Sequence, residues 1–286
     1  MKIKLLLLTL FILAVSSQAY SQFDKPSFQI GVGISEPYDE LKGNDYVTYD
    51  SRGFIYIDSN FIGKNYAGKT GFQIFGSGKI NFDKYSIIRG VGFLGFNSFN
   101  SFESSNSGLT GIIVGNDTLP TSVVYDYGFT NFAIGFGLEV APLSFTNVVS
   151  PFFNANLSLN FMGGEVTRAE GVNDTNRYGF NGFRIGVNFN TGIEVKVNKS
   201  WGIVAGIKYD LGNLLLKNTD QSISGRVEWG RTNGELNDES GKYYSNLSSP
   251  LGGNFKQYDS DEKKVNWGTI YLGVNFYPNL RPTSKK

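Results

Sequence analysis

Residues 181–211 read NGFRIGVNFNTGIEVKVNKSWGIVAGIKYDL. From Phe183, alternate residues are Phe183, Ile185, Val187, Phe189, Thr191, Ile193, Val195 and Val197, apolar except for Thr191. The residues between are Arg184, Gly186, Asn188, Asn190, Gly192, Glu194 and Lys196, none of them large and apolar. A period of two marks a β-strand with one oily and one polar face. Asn198-Lys199-Ser200 turns the chain, and a second alternating strand returns. Trp201, Ile203, Ala205, Ile207, Tyr209 and Leu211 share one face; Val204, Gly206, Lys208 and Asp210 share the other. A half-buried soluble strand shows water Lys, Glu and Thr. Here the polar face is mostly Gly and Asn with sparse charges of both signs. Small residues and pairable charges suit the inside of a narrow barrel, with the oily face turned to lipid.

Working outward, the same alternation recurs. Strands are expected at about 27–35, 70–82, 85–99, 128–141, 151–162, in the 181–211 hairpin and at 264–277. The connections alternate between short (83–84, 142–150, 198–200) and long (36–69, 100–127, 163–179, 212–263). Eight strands with that alternation predict an all-β, up-and-down antiparallel transmembrane barrel with short periplasmic turns and long external loops. A ten-stranded barrel is the alternative, because 52–59 and 222–229 have some β character. Lipid offers backbone groups no hydrogen-bond partner, so the first and last strands must pair.

The chain opens MKIKLLLLTLFILAVSSQAYSQ: a basic start, an apolar run too short to span a membrane, and a small-x-small cleavage site. This predicts a signal peptide at 1–21, a barrel at 22–277 and a periplasmic tail at 278–286, and hence export to the outer membrane. The composition, with 36 Gly, 24 Phe and 16 Tyr, favours β structure. A net charge of +1 gives no argument for nucleic acid as a partner. The chain has no Cys and no His, which excludes disulfides, thiol chemistry, Ser-His-Asp hydrolysis and His metal sites. No enzyme activity, cofactor or metal is expected.

The inward charges are expected to be Lys79, Arg89, Glu139, Arg184, Glu194, Lys196, Lys208 and Asp210. The interior of an eight-stranded barrel is one that side chains can just fill, so these should pair with one another and plug the lumen. A narrow channel for ions or hydrophobic molecules remains the competing reading. A soluble secreted sandwich or lipocalin-like binder is a third, should the oily faces turn inward. Phe28, Phe82, Tyr85, Phe153, Trp201, Trp267 and Tyr277 lie near strand ends and are expected as an interfacial girdle. Gly90 to Gly95 fits a GxGxxG string, but it lies within a strand and no helix follows, as a dinucleotide site would require. The acidic clusters at 237–239 and 259–262 match no calcium-loop spacing and are expected to be solvated.

On this architecture, and on the phrases Gly137-Leu138-Glu139-Val140 and Gly273-Val274-Asn275-Phe276-Tyr277, the chain resembles the small outer-membrane barrels of Bacteroidota. These are grouped as PorT-like or OmpA/OmpX-type. The resemblance covers about Gln22 to Tyr277. It implies a non-enzymatic barrel whose aromatic-ended last strand, at Phe276 and Tyr277, is read by the barrel-insertion machinery. It also implies outer-membrane lipid around the wall and loops free to meet an extracellular partner. The nine residues after Tyr277 depart from the pattern, since many such barrels stop there. No peptidoglycan-binding role is implied.

Overall fold

The computed structural model describes residues 26–42, 47–49, 51–57, 61–83, 87–103, 105–114, 117–142, 148–170, 174–219, 231–245 and 256–278. The expected signal peptide, residues 279–286 of the tail, Tyr85 and the 222–229 segment lie outside the described residues.

Eight strands form the wall: β1 (Ser27–Tyr38), β2 (Gly71–Asn81), β3 (Ile88–Phe99), β4 (Asp117–Val140), β5 (Val149–Glu170), β6 (Asp174–Lys196), β7 (Trp201–Leu215) and β8 (Asn266–Phe276). Each pairs antiparallel with its neighbours in sequence. β8 pairs with β1, which closes the ring and leaves no open edge in the wall. Partners can be followed around the ring from Ser27 through Lys79, Val91, Gly137, Asn156, Asn188, Asp210 and Trp267. The path returns to β1 at Pro37, a stagger of ten residues. With strands ~4.8 Å apart and a rise of ~3.3 Å per residue, that stagger tilts them by about 40°.

The faces are inverted relative to a soluble sheet, so the sandwich reading does not hold. On β1, Phe28, Ile30, Val32 and Ile34 are half or more exposed, while Gln29 and Ser35, of the opposite parity, are buried. Ile270 and Leu272 on β8 are also exposed, at 72% and 62%, and flank buried Tyr271. The inward glycines let a narrow tube hold large rings. A Cβ on Gly135 would lie 2.2 Å from the Phe93 ring, and one on Gly206 would lie 2.5 Å from the Tyr271 hydroxyl.

Two expectations about the loops need correction. The 100–127 connection is largely strand: Asn106–Val114 pairs with the upper part of β4, which starts at Asp117 rather than near 128. The 163–179 connection is also strand, since β5 and β6 stay paired out to Glu170 and Asp174. Val123, Tyr125, Tyr127, Val166 and Tyr178 are buried along these extensions, so packing of alternate side chains carries the sheet beyond the expected ends. The largest loops, 36–69 and 212–263, also fold inward. Leu41, Ile62 and Tyr66 from the first, and Leu236 and Tyr243 from the second, join Phe99, Phe129, Phe180 and Trp267 in one buried cluster over the long-loop mouth. Two-stranded pairings run through them, Val47–Tyr49 with Ile55–Ile57 and Gly241–Ser245 with Lys256–Ser260. Among the described residues eight strands close the barrel; Ile55–Ile57 lies in a loop hairpin and not in the wall.

Candidate functional site: the barrel lumen and its cap

Because inward residues alternate along each strand, the lumen is built in layers. Lys79 (β2), Arg89 (β3), Glu139 (β4) and Glu194 (β6) meet near the short-turn end, all less than 5% exposed. Lys79 Nζ lies 2.8 Å from Glu139 Oε2. Arg89 Nη1 lies 3.0 Å from Glu139 Oε1 and 3.1 Å from Glu194 Oε2, and so ties the two carboxylates together. Asn154 Nδ2 donates to Glu139 at 3.3 Å, and the Tyr277 hydroxyl donates to Glu194. Lys79 also sits 4.7 Å from the centre of the Phe152 ring. Two cations face two anions with no charge left over, the condition under which buried ions are tolerated.

Further along, Lys208 Nζ is 3.2 Å from Asp210 Oδ2. An amide layer lies beside this pair. Asn156 Nδ2 donates to Asn154 and Asn188, Gln73 Nε2 to Asn97, and the Tyr271 hydroxyl to Asn190. Closer to the long-loop end, Asn160 receives a bond from Asn131 and donates to the Gly212 carbonyl.

Two of the eight expected lumen charges stand apart. Lys196 is half-exposed at the short-turn mouth. Arg184 reaches out of the lumen to Asp238 of the 212–263 loop. Its Nε lies 2.8 Å from Oδ2 and its Nη2 lies 2.6 Å from Oδ1, a forked pair. Asp238 also accepts from Asn213 Nδ2 at 2.8 Å and from the Asn218 amide at 3.1 Å. Asn237 and Asp238, expected in a solvated acidic cluster, are thus buried; Glu239 is exposed. Lys263 is a second anchor. Its fully buried ammonium donates to Ser260 Oγ at 2.8 Å, Gly63 O at 3.1 Å and Asp261 O at 3.3 Å. Burial pushes its pKa from the ordinary 10.5 down to about 7, while Asp238, Asp261 and Glu40 pull the other way. Tyr66, packed 5.3 Å from both Phe129 and Phe180, has its hydroxyl pKa pushed well up by the same burial.

The expected girdle divides by strand parity. Phe28, Phe153 and Trp201 point outward at the short-turn end, and Phe82 is exposed there. Phe28, Phe276 and Trp201 are register partners on adjacent strands, with the Trp201 and Phe276 rings 5.0 Å apart. Trp267 and Tyr277 are not in the girdle. They share the inward parity of Thr269, Tyr271 and Asn275; Trp267 is fully buried against Phe99, and Tyr277 reaches Glu194. The other rim has an aromatic row not expected from the sequence. Phe132, Phe161 and Phe183 are neighbours across β4, β5 and β6, and Tyr38 faces Tyr209 at 6.1 Å.

No cation site was found among the described residues from His, Cys, Asp and Glu groupings. The glycines of the 90–95 string lie in β3, where the strand continues and no helix begins.

The fold and lumen define a closed eight-stranded antiparallel barrel with an apolar outer wall and a polar, ion-paired interior. No protein-family model and no curated protein matches the chain. Among solved structures, Neisserial surface protein A aligns with a TM-score of 0.42 at 13% identity, covering 88% of this chain and 96% of that one. The attachment invasion locus protein Ail of Yersinia pestis aligns at 0.36 and 12%, covering 89% and 99%. The outer membrane protein OprG of Pseudomonas aeruginosa aligns at 0.40 and 9%, covering 89% and 97%. At these values the likeness assigns no activity to this chain, and the architecture rests on the register described above.

Proposed function

We propose that the chain is a non-enzymatic integral outer-membrane protein, a scaffold that crosses the membrane as a barrel with a closed lumen. The observation that carries this reading is the inversion of faces: along the wall strands the exposed large side chains are apolar, while the ion pairs and amides lie inside among aromatic rings. Water would penalise such a wall; lipid would stabilise it. Two aromatic rows bound the apolar band. From Phe28 to Tyr38 the vertical rise is about 25 Å at a tilt of ~40°, close to the thickness of an outer-membrane apolar band. The short turns then face the periplasm, and the long extensions and capped mouth face outside. Residues 1–21 serve as the export signal, the aromatic end of β8 serves the insertion machinery, and the 36–69 and 212–263 loops offer the outer contact surface for adhesion or a partner. The kinship with small Bacteroidota barrels belongs to the same proposal.

The test is fractionation followed by gel mobility. The protein should extract with detergent from the outer-membrane fraction and run differently boiled and unboiled. A protein soluble without detergent, with no mobility shift, would overturn the membrane reading. Planar bilayers address the lumen: no stable large conductance is expected, and steady porin-like openings would overturn the closed lumen alone.

A further inference from the structure

Within the lumen a chamber of ≈ 30 Å³ touches both Lys79 and Lys208. Besides Gln29, whose buried Nε2 has no partner, three amides in its wall are used at one end only. Gln73 Nε2 donates to Asn97 at 2.8 Å, and Gln73 Oε1 has no partner. Asn156 Nδ2 donates to Asn188 Oδ1 at 2.8 Å, which leaves Asn156 Oδ1 and Asn188 Nδ2 without partners. All three side chains are at least nine-tenths buried, at 1%, 5% and 1% exposure. The bond from Asn154 to the Glu139 carboxylate fixes Asn154, and through it the orientations of Asn156 and Asn188; Gln73 is oriented only relative to Asn97. A buried amide end with no partner is costly, so the chamber calls for a ligand.

The lining selects the ligand. An anion would face the carbonyl oxygen of Asn156. A cation would face the ammoniums of Lys79 and Lys208. The surrounding charges also cancel, with Lys79, Arg89 and Lys208 set against Glu139, Glu194 and Asp210. Water alone both donates and accepts. One water needs roughly 10–15 Å³ of such space, so about two fit. We propose that this chamber is a water-binding site, where about two ordered waters complete Gln73, Asn156 and Asn188 and join the lower ion cluster to the Lys208–Asp210 pair. The lumen is then hydrated at its middle and closed by side chains at both ends, and its waters exchange slowly. This inference rests on the fold and not on where the protein resides.

A crystal structure of the full chain, grown in bromide at a resolution that shows waters, tests it. The expected result is two peaks within about 3.2 Å of Gln73 Oε1, Asn156 Oδ1 and Asn188 Nδ2, with no anomalous signal. An anomalous bromide peak, or an empty chamber, would overturn the proposal. In solution, water-oxygen relaxation dispersion on the micelle-bound protein should count about two fewer long-lived waters in an Asn188→Leu/Gln73→Leu variant. An unchanged count would overturn it. If that variant fails to fold, the wild-type crystal carries the test alone.

Discussion

Glu139→Gln changes one atom type at the centre of the lower ion cluster. The carboxylate is fully buried and holds Lys79 at 2.8 Å and Arg89 at 3.0 Å. At an effective dielectric of ~20, the Lys79 contact alone is worth about 6 kcal/mol of Coulomb attraction, part of which desolvation of the two ions offsets. Removing the negative charge leaves Lys79 and Arg89 to share Glu194. The expected net cost is about 3–5 kcal/mol, the range for breaking a buried ion pair from one side. Adding Lys79→Met removes the orphaned cation and leaves the Arg89–Glu194 pair balanced. The double variant should therefore return to within about 1–2 kcal/mol of wild type. Reversible urea unfolding in detergent micelles, followed by tryptophan fluorescence and by the mobility of unboiled protein, measures both. If the single variant cost less than about 1 kcal/mol, or the double were no better than the single, the lumen ions would not be acting as a charge-balanced unit.

The Arg184–Asp238 fork should hold the 212–263 loop on the barrel. Arg184→Met should raise protease cutting in 231–245 many-fold while leaving the wall strands protected; equal sensitivity to wild type would count against it. Lys263 gives the cap a pH dependence. The folded amine titrates near 7 and the unfolded one near its ordinary 10.5, so between those values the unfolded chain binds more protons. Cap stability should rise from about pH 7 toward pH 10 and sit at its minimum below 7. Hydrogen exchange around 61–67 should slow relative to the intrinsic rate between pH 6.5 and 9 in wild type and show no such trend in Lys263→Met.

Strand parity was the most legible property of the sequence, because a period of two is local. It placed Lys79, Arg89, Glu139, Glu194, Lys208 and Asp210 on the inner face and their apolar neighbours along the strand on the outer one. At Trp267 and Tyr277 the residue type and the strand parity point in opposite directions, and parity decides. An aromatic near a strand end suggested the girdle, yet Thr269 and Tyr271 already fixed that face as inward. The extensions of β4 to β6 carried a readable pattern in Val123, Tyr125 and Tyr127, but Pro120, Gly128 and the surrounding polar residues suggested a loop. The cap had no local signal. Asp238 is 54 positions from Arg184, and Lys263 is 200 from Gly63, so only the folded chain reveals these partners.

On the proposed function, the apolar face of the wall meets lipid and the polar face does not. Trp201 and Trp267 lie on opposite faces of that wall, 49% and 0% exposed. Each should be kept as the sole tryptophan in its own variant, the others changed to Phe, and inserted into bilayers with brominated acyl chains. Bromine should quench Trp201 strongly and leave Trp267 nearly untouched. Quenching of Trp267 with Trp201 spared would show the faces reversed, and no quenching of either would show that the wall does not face lipid.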